Sequence, residues 1–152
     1  MFIVNDLTFE NTNLFAEDIA THLLINRYWC YSKFAPNVKK LKTGDKVLVY
    51  LAGKGRRHFF ASFMLKDDVS AITNSEEGEY KWRRELNRLF QLSSQIDNIE
   101  KYNSPIALDQ ELRGNLDFIV DKKNWGLYFR QGIRALSEKD YQTITSAVQK
   151  IF

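Results

Sequence analysis

Two apolar runs, "KVLVYL" at 46–51 and "HFFASFML" at 58–65, stand either side of a short connection carrying Gly53, Lys54 and Gly55. Both are rich in β-branched and aromatic residues and are too short for independent helices, so they read as strands. The glycines between them supply the turn that pairs the strands as an antiparallel hairpin. A polar turn, Thr43-Gly44-Asp45, leads into the first of them. The hairpin makes a sheet the organising element of the fold.

The rest of the chain adds strands and helices without strict alternation. "MFIV" at the start suits a short buried strand, and "RYWCYS" at 27–32 suits another. Leu14, Phe15, Ile19, Leu23 and Leu24 recur at three- and four-residue spacings, which predicts a helix over 14–25 with Asn13 as its N-cap. "SEEGEYKWRRELNRLF" reads either as a helix or as a helix ending in a strand, with Leu86, Leu89 and Phe90 at helical spacing. "QLSSQIDNIEKYNSPI" reads as extended, and "LDQELRGNLDFI" as one short helix closed by Gly114. Near the end, Ser137 is an N-cap with Asp140 three residues later, and Tyr141, Ile144, Val148 and Ile151 share a helical face. Short strands with irregularly placed helices predict an α+β fold of about five to six mixed or antiparallel strands, for which a small β-barrel is the natural closed form.

At 152 residues, with 44% hydrophobic residues and two prolines (Pro36 and Pro105), the chain is expected to form one domain over 1–152. No repeat or Pro/Gly/Ser-rich linker divides it. A net charge of +3 and a pI of 8.9 allow a polyanionic partner without demanding one. Cys30 is the only cysteine, so no intrachain disulfide can form, and a reducing, cytoplasmic setting is expected. With only His22 and His58 beside it, the sequence offers no zinc-ligand spacing, and no cofactor is expected. The start lacks a basic, apolar signal sequence, and no stretch approaches the roughly 20 apolar residues of a membrane span.

Three pieces in this order resemble the EVE family of the PUA-like superfamily. They are "WCYSKFAPNVKKLKTGDKVLVYLAG" with its Lys-x-Gly-Asp-x-x-x-x-Tyr core, the strand "HFFASFML", and "SPIALDQELRGNLDFIVDKKNWGLYFRQGIRALSEKDYQTI". The likeness spans roughly residues 28 to 146, and the last piece is its most specific part. It implies a compact β-barrel flanked by helices, with a concave pocket that in related domains receives a base flipped out of DNA or RNA, often a methylated one. Relatives in the superfamily include YTH and SRA readers and the ASCH group. Two departures stand out: "MFIVN" replaces a tryptophan that many EVE proteins carry near the start, and "SEEGEYKWRRELNRLF" is longer and more basic than a plain connection.

A flipped base needs aromatic walls and a few oriented polar groups. Strand alternation puts Trp29 and Tyr31 on one face and Tyr28, Cys30 and Ser32 on the other. The resemblance places Trp29, Cys30, Tyr31, Ser32 and Lys33 along the pocket, with Trp29 as a wall and Ser32 as an edge contact. Tyr50, Phe118 and Trp125 are further pocket candidates, Tyr50 facing either the core or the pocket. Gly126 and Gly132 are expected to allow tight turns, with Trp125 and Phe129 sealing the barrel. Cations for a phosphate backbone are Lys54, Arg56 and Arg57, then Arg83 and Arg84 around Trp82 with Lys81, then Arg130 and Arg134.

Catalysis has little to build on. Glu76, Glu77 and Glu79 read as a solvated run, and Cys30 comes without a nucleophile signature. The expected function is a non-enzymatic module that binds DNA or RNA, possibly methylated. The alternatives are an ASCH-like hydrolase of modified nucleosides using Lys33, or an adaptor binding a peptide or small molecule in the same groove. The sequence leaves the oligomeric state open.

Overall fold

The computed structural model describes residues 1–9, 12–53, 55–72, 90–130 and 132–149. The order of elements is β1 (Phe2–Val4), β2 (Leu7–Phe9), β3 (Thr12–Leu14), α1 (Ala16–Ile25), β4 (Tyr28–Tyr31), β5 (Lys46–Leu51), β6 (His58–Leu65), β7 (Ser70–Ala71), β8 (Leu92–Ala107), α2 (Gln110–Gly114) and α3 (Glu138–Gln149). The main sheet runs β1-β5-β6-β8-β4, with β7 on β8, while β2 and β3 form a separate hairpin. β1 pairs with β5 in parallel, and the other pairs of the main sheet are antiparallel. The expected α+β class and mixed sheet are therefore present.

The curl of the sheet comes from β8 and the irregularities along its partner. β8 runs over 16 residues. Its start pairs with β4, Tyr28 opposite Gln95 and Tyr31 opposite Leu92, and its later part pairs with β6 from Leu65–Ile96 to His58–Ala107. The β6–β8 register slips twice, between Phe59 and Ala61 and between Ser62 and Met64, and β5 slips against β6 at Val49/Tyr50. Bulges of this kind bend a strand and raise its twist, so the sheet rolls into a half-barrel.

The two edge strands then face each other without pairing. Phe2 of β1 meets Trp29 and Tyr31 of β4 at ring-centroid distances of 5.7 and 5.5 Å, and Phe63 of β6 at 5.8 Å. Side chains rather than backbone hydrogen bonds close this side. The outer edge of β1 is covered by residues 132–134, through Ile3 N–H to Gly132 O (2.9 Å) and Arg134 N–H to Met1 O (2.9 Å).

β5 is buried on both faces, which explains why it is apolar almost throughout rather than alternating. Val47, Val49 and Leu51 join Phe2, Val4, Trp29, Tyr31, Phe63 and the α1 residues Ile19, Ala20 and Leu23 in one cluster. Leu48 and Tyr50 join Ile3, Phe59, Tyr102, Ile119, Phe129 and Ile144 in the other.

Three local expectations are corrected. Asn13 lies in β3, and the start of α1 is capped from farther off: Asp6 Oδ1 accepts from Ala16 N–H at 2.8 Å. Gly126 sits inside a 3-10 turn, Trp125–Phe129, and neither it nor Gly132 has a positive φ. The glycines that need their conformational freedom are in the turns flanking β5, at Gly44 (φ 89°), Gly53 (φ 109°) and Gly55 (φ 85°), where a Cβ is disfavoured. Gly114 ends α2 as expected, and Asp109 caps its start by accepting from Leu112 N–H at 2.8 Å.

Candidate nucleic-acid interface

β4 carries the central part of the site because it is an edge strand whose four residues are all buried. A pocket of about 210 Å3 opens where β4 faces β1. Its walls are Trp29, Cys30, Tyr31 and Ser32 from β4 and its end, Ile3 and Val4 from β1, and Ile19 and Leu23 from α1, with Gly132 and Ile133 at the covered edge. Leu7, Ala35 and Phe90 complete the apolar lining, and Asn5 and Ser32 add polar groups. The volume falls below the roughly 300–1,000 Å3 of sites for drug-sized ligands, which favours one compact group.

The polar atoms near the pocket are held in place. Tyr31 and Ser94 share a buried hydroxyl–hydroxyl bond of 2.7 Å, and burial raises the Tyr31 pKa far above its ordinary value, so the phenol stays neutral. Trp29 is 5% exposed and packs against Phe2 and Phe63 at 5.7 and 5.2 Å. It is thus a core residue that also forms a wall. After β4 the chain turns tightly: Ser32 Oγ accepts from Phe34 N–H (3.2 Å), Ser32 O from Ala35 N–H (3.0 Å), and Gln91 Oε1 from Lys33 N–H (3.1 Å). This anchored turn holds Phe34 out at 80% exposure between the lining residues Ser32 and Ala35, with the Lys33 ammonium 5.0 Å from its ring centre.

Of the expected pocket residues, Trp29, Cys30, Tyr31 and Ser32 come together here, while Lys33, next in sequence, is exposed and not part of the lining. Tyr50, Phe118 and Trp125 belong to the opposite cluster. Tyr50 faces away because it lies one residue out of phase with Val49 and Leu51; it packs against Phe129 at 4.6 Å, and burial pushes its phenol up to about 12. Phe118 lies against Phe129 at 5.6 Å.

The cations divide by what they touch. Arg56 is bound to two carboxylates, Asp6 at 3.0 Å and Glu17, and so ties the β5–β6 loop to α1 instead of facing a ligand. Arg57 and Arg113 lie 5.5 and 4.6 Å from the Trp125 ring centre. Arg134 lies 5.7 Å from the Phe118 ring and 5.3 Å from the Tyr128 ring, half-buried, while Arg130 is exposed. Lys54, Trp82, Arg83 and Arg84 lie outside the described residues, as do Glu76, Glu77 and Glu79.

No family model matches the chain. A UPF0310 protein of Mycobacterium avium (strain 104) is 27% identical over 117 residues, covering 73% of this chain and 75% of that protein. A second, from Mycolicibacterium gilvum (strain PYR-GCK), is 27% identical over 117 residues, covering 73% and 74%. The relatives are UPF0310 proteins. Among solved structures, the NMR structure of Rpa0253 from Rhodopseudomonas palustris is similar with a TM-score of 0.54, over 90% of this chain and 86% of that one. At 8% identity that likeness concerns the fold alone.

The fold also brings a basic stretch beside this pocket that the sequence expectations did not include. "VKKLKTGDK" holds Lys39, Lys40, Lys42 and Lys46, and Lys40 and Lys46 line a neighbouring cleft of about 470 Å3 together with Arg134. The sequence shows the lysine density but not that the fold sets Lys40 and Lys46 beside Arg134. Among the described residues no three His, Cys, Asp or Glu side chains cluster as a metal site would need, and no helix is long and apolar enough to cross a membrane.

Proposed function

We propose that this chain is an EVE-type, PUA-like module that holds a single flipped, modified base of a nucleic acid in the pocket between β1 and β4. The observation that carries the reading is the pocket itself: Trp29, Tyr31 and Ser32 line one small, mainly apolar space beside an anchored turn. Aromatic and apolar walls suit the faces of a base, and Ser32 and Asn5 suit its edge. A methyl group would be sensed by the fit of the apolar lining, a difference worth roughly 10–200-fold in affinity. Phe34, exposed beside Lys33, would stack on a flanking base.

Trp29→Ala would leave a large core cavity, so the cleaner perturbation fills the pocket from its edge. Ala35→Phe is expected to remove discrimination between methylated and plain oligonucleotides in a fluorescence anisotropy titration, with residual salt-dependent affinity retained. Methyl discrimination that survives in a folded Ala35→Phe protein, or wild-type protein that binds no DNA or RNA oligonucleotide, would overturn the proposal.

A further inference from the structure

The cleft next to the base pocket is lined by Met1 and Phe2 of β1, by Lys40, Leu41 and Lys46 before and at the start of β5, and by Ile133 to Glu138 leading into α3. It shares Ile133 with the base pocket. The two spaces follow one another along β1: Ile3 and Val4 contribute to the lining of the pocket, and Met1 and Phe2 to that of the cleft. Asn37 fixes the divide by donating from Nδ2 to Ile133 O at 3.2 Å.

The cleft differs from the pocket in charge. Lys40 and Lys46 are exposed lysines, and Arg134 carries its guanidinium over two aromatic rings with Nε buried and without a hydrogen-bond partner. A buried cationic N–H left unmatched is costly, and a nearby anion offsets that cost. Asp45 and Glu138 also line the cleft, but each is engaged locally: Asp45 Oδ2 accepts from Lys42 N–H at 2.9 Å, and Glu138 Oε1 accepts from Gln142 Nε2 at 3.2 Å. Lys46 is additionally positioned 5.8 Å over the Tyr141 ring. Lys39 and Lys42 flank the cleft in sequence and reinforce the positive side.

We propose that this cleft is a phosphodiester-binding site, in which Lys40, Lys46 and Arg134 hold the backbone of the same strand whose base enters the neighbouring pocket. The inference rests on the base-binding reading and adds a location for the backbone. That location differs from Arg56, whose charge is already taken up by Asp6 and Glu17. Phosphate contacts position the strand and base contacts discriminate it, so the two sites should fail separately.

The test is a salt titration of fluorescein-labelled single-stranded DNA and RNA oligonucleotides, with methylated, plain and abasic versions, against wild type and Lys40→Gln/Lys46→Gln. Single strands release about 0.7 counterion per phosphate contact, so losing two contacts lowers the slope of log affinity against log salt by about 1.4. With affinity at 1 M salt unchanged, that slope gives about a 25-fold loss at 0.1 M. The loss should be equal for methylated, plain and abasic strands, while discrimination for the methyl group persists. Lys66→Gln/Lys123→Gln, at exposed lysines away from the cleft, should keep most of the slope. Thermal melts establish that each variant is folded. A wild-type slope and affinity in folded Lys40→Gln/Lys46→Gln, alongside intact methyl discrimination, would overturn the cleft and leave the base pocket standing. A wild-type protein that binds no oligonucleotide overturns both.

Discussion

Asp140 is a buried charged residue at the start of α3, whose Ile144 belongs to the second core. It is 1% exposed, and its two carboxylate oxygens accept separately from Asp117 N–H (2.8 Å) and Phe118 N–H (2.9 Å). Its own N–H donates to the capping Ser137 Oγ at 3.1 Å. One side chain in the first turn of α3 thus pins the chain segment that follows α2. Asp140→Ala removes two charge-assisted acceptors and leaves two N–H groups unmatched. At roughly 1.5–3 kcal/mol for each such bond, the expected loss is about 3–6 kcal/mol, a large part of the about 5–15 kcal/mol that keeps a domain folded. Asp140→Asn keeps one acceptor and turns an amide N–H2 toward the other donor, so its loss should be about half as large. Urea denaturation at neutral pH reads both values. At about 2–4 °C per kcal/mol for a chain of this size, Asp140→Ala should melt at least about 6 °C below wild type. A urea-derived loss below about 1 kcal/mol for Asp140→Ala would refute the reasoning. Asp117→Ala, which removes only an exposed ion pair with Lys139, should leave the transition where it was.

Two further predictions concern pH. Burial works to raise the Glu17 pKa, but the hydrogen bond and charge of Arg56 outweigh it and hold the carboxyl below its ordinary value. A depressed folded pKa contributes stability that is present above the unfolded value and lost as pH falls through the carboxylate range. The stability gap between wild type and Glu17→Gln should therefore close on acidification, and a gap that widens below about pH 4 would contradict the pairing. Tyr50 and Tyr102 are pushed up to about 12 by burial, and Tyr31 is raised further. Raised folded pKa values contribute stability that is intact below about pH 10 and lost as pH rises through the folded values. Ultraviolet titration should show several of the seven tyrosines ionising late, together with unfolding, and a single early step for all of them would refute their burial.

The strands were readable because their signal is local. β5 and β6 are dense apolar runs bounded by glycine turns, and nothing distant is needed to recognise them. The α1 cap was not readable, since Asp6 reaches Ala16 N–H across an intervening hairpin, whereas Asn13 looked right by position alone. Tyr50 was undecidable from alternation, because β5 is buried on both faces and either phase offers a core. Half of the pocket between β1 and β4 was legible in "YWCYS". The other half comes from Ile19, Leu23, Gly132 and Ile133, which only the curl of the sheet brings beside it. The cationic cleft was hidden for the same reason: Lys40 and Arg134 are far apart in sequence and meet across β1.

The cover that residues 132–134 lay along β1 has a further consequence for the life of the chain in concentrated solution. A strand edge stripped of its neighbour is a template for any other extended chain, and β1 is short, apolar and buried along its length. Ile133, bridged to Phe2, therefore acts as a guard against self-association as well as a divider between two spaces. Damage that lifts this segment, such as a proline at 134, which removes the N–H that Arg134 donates to Met1 O, would leave a sticky edge and favour aggregates built by strand addition before the rest of the molecule had unfolded.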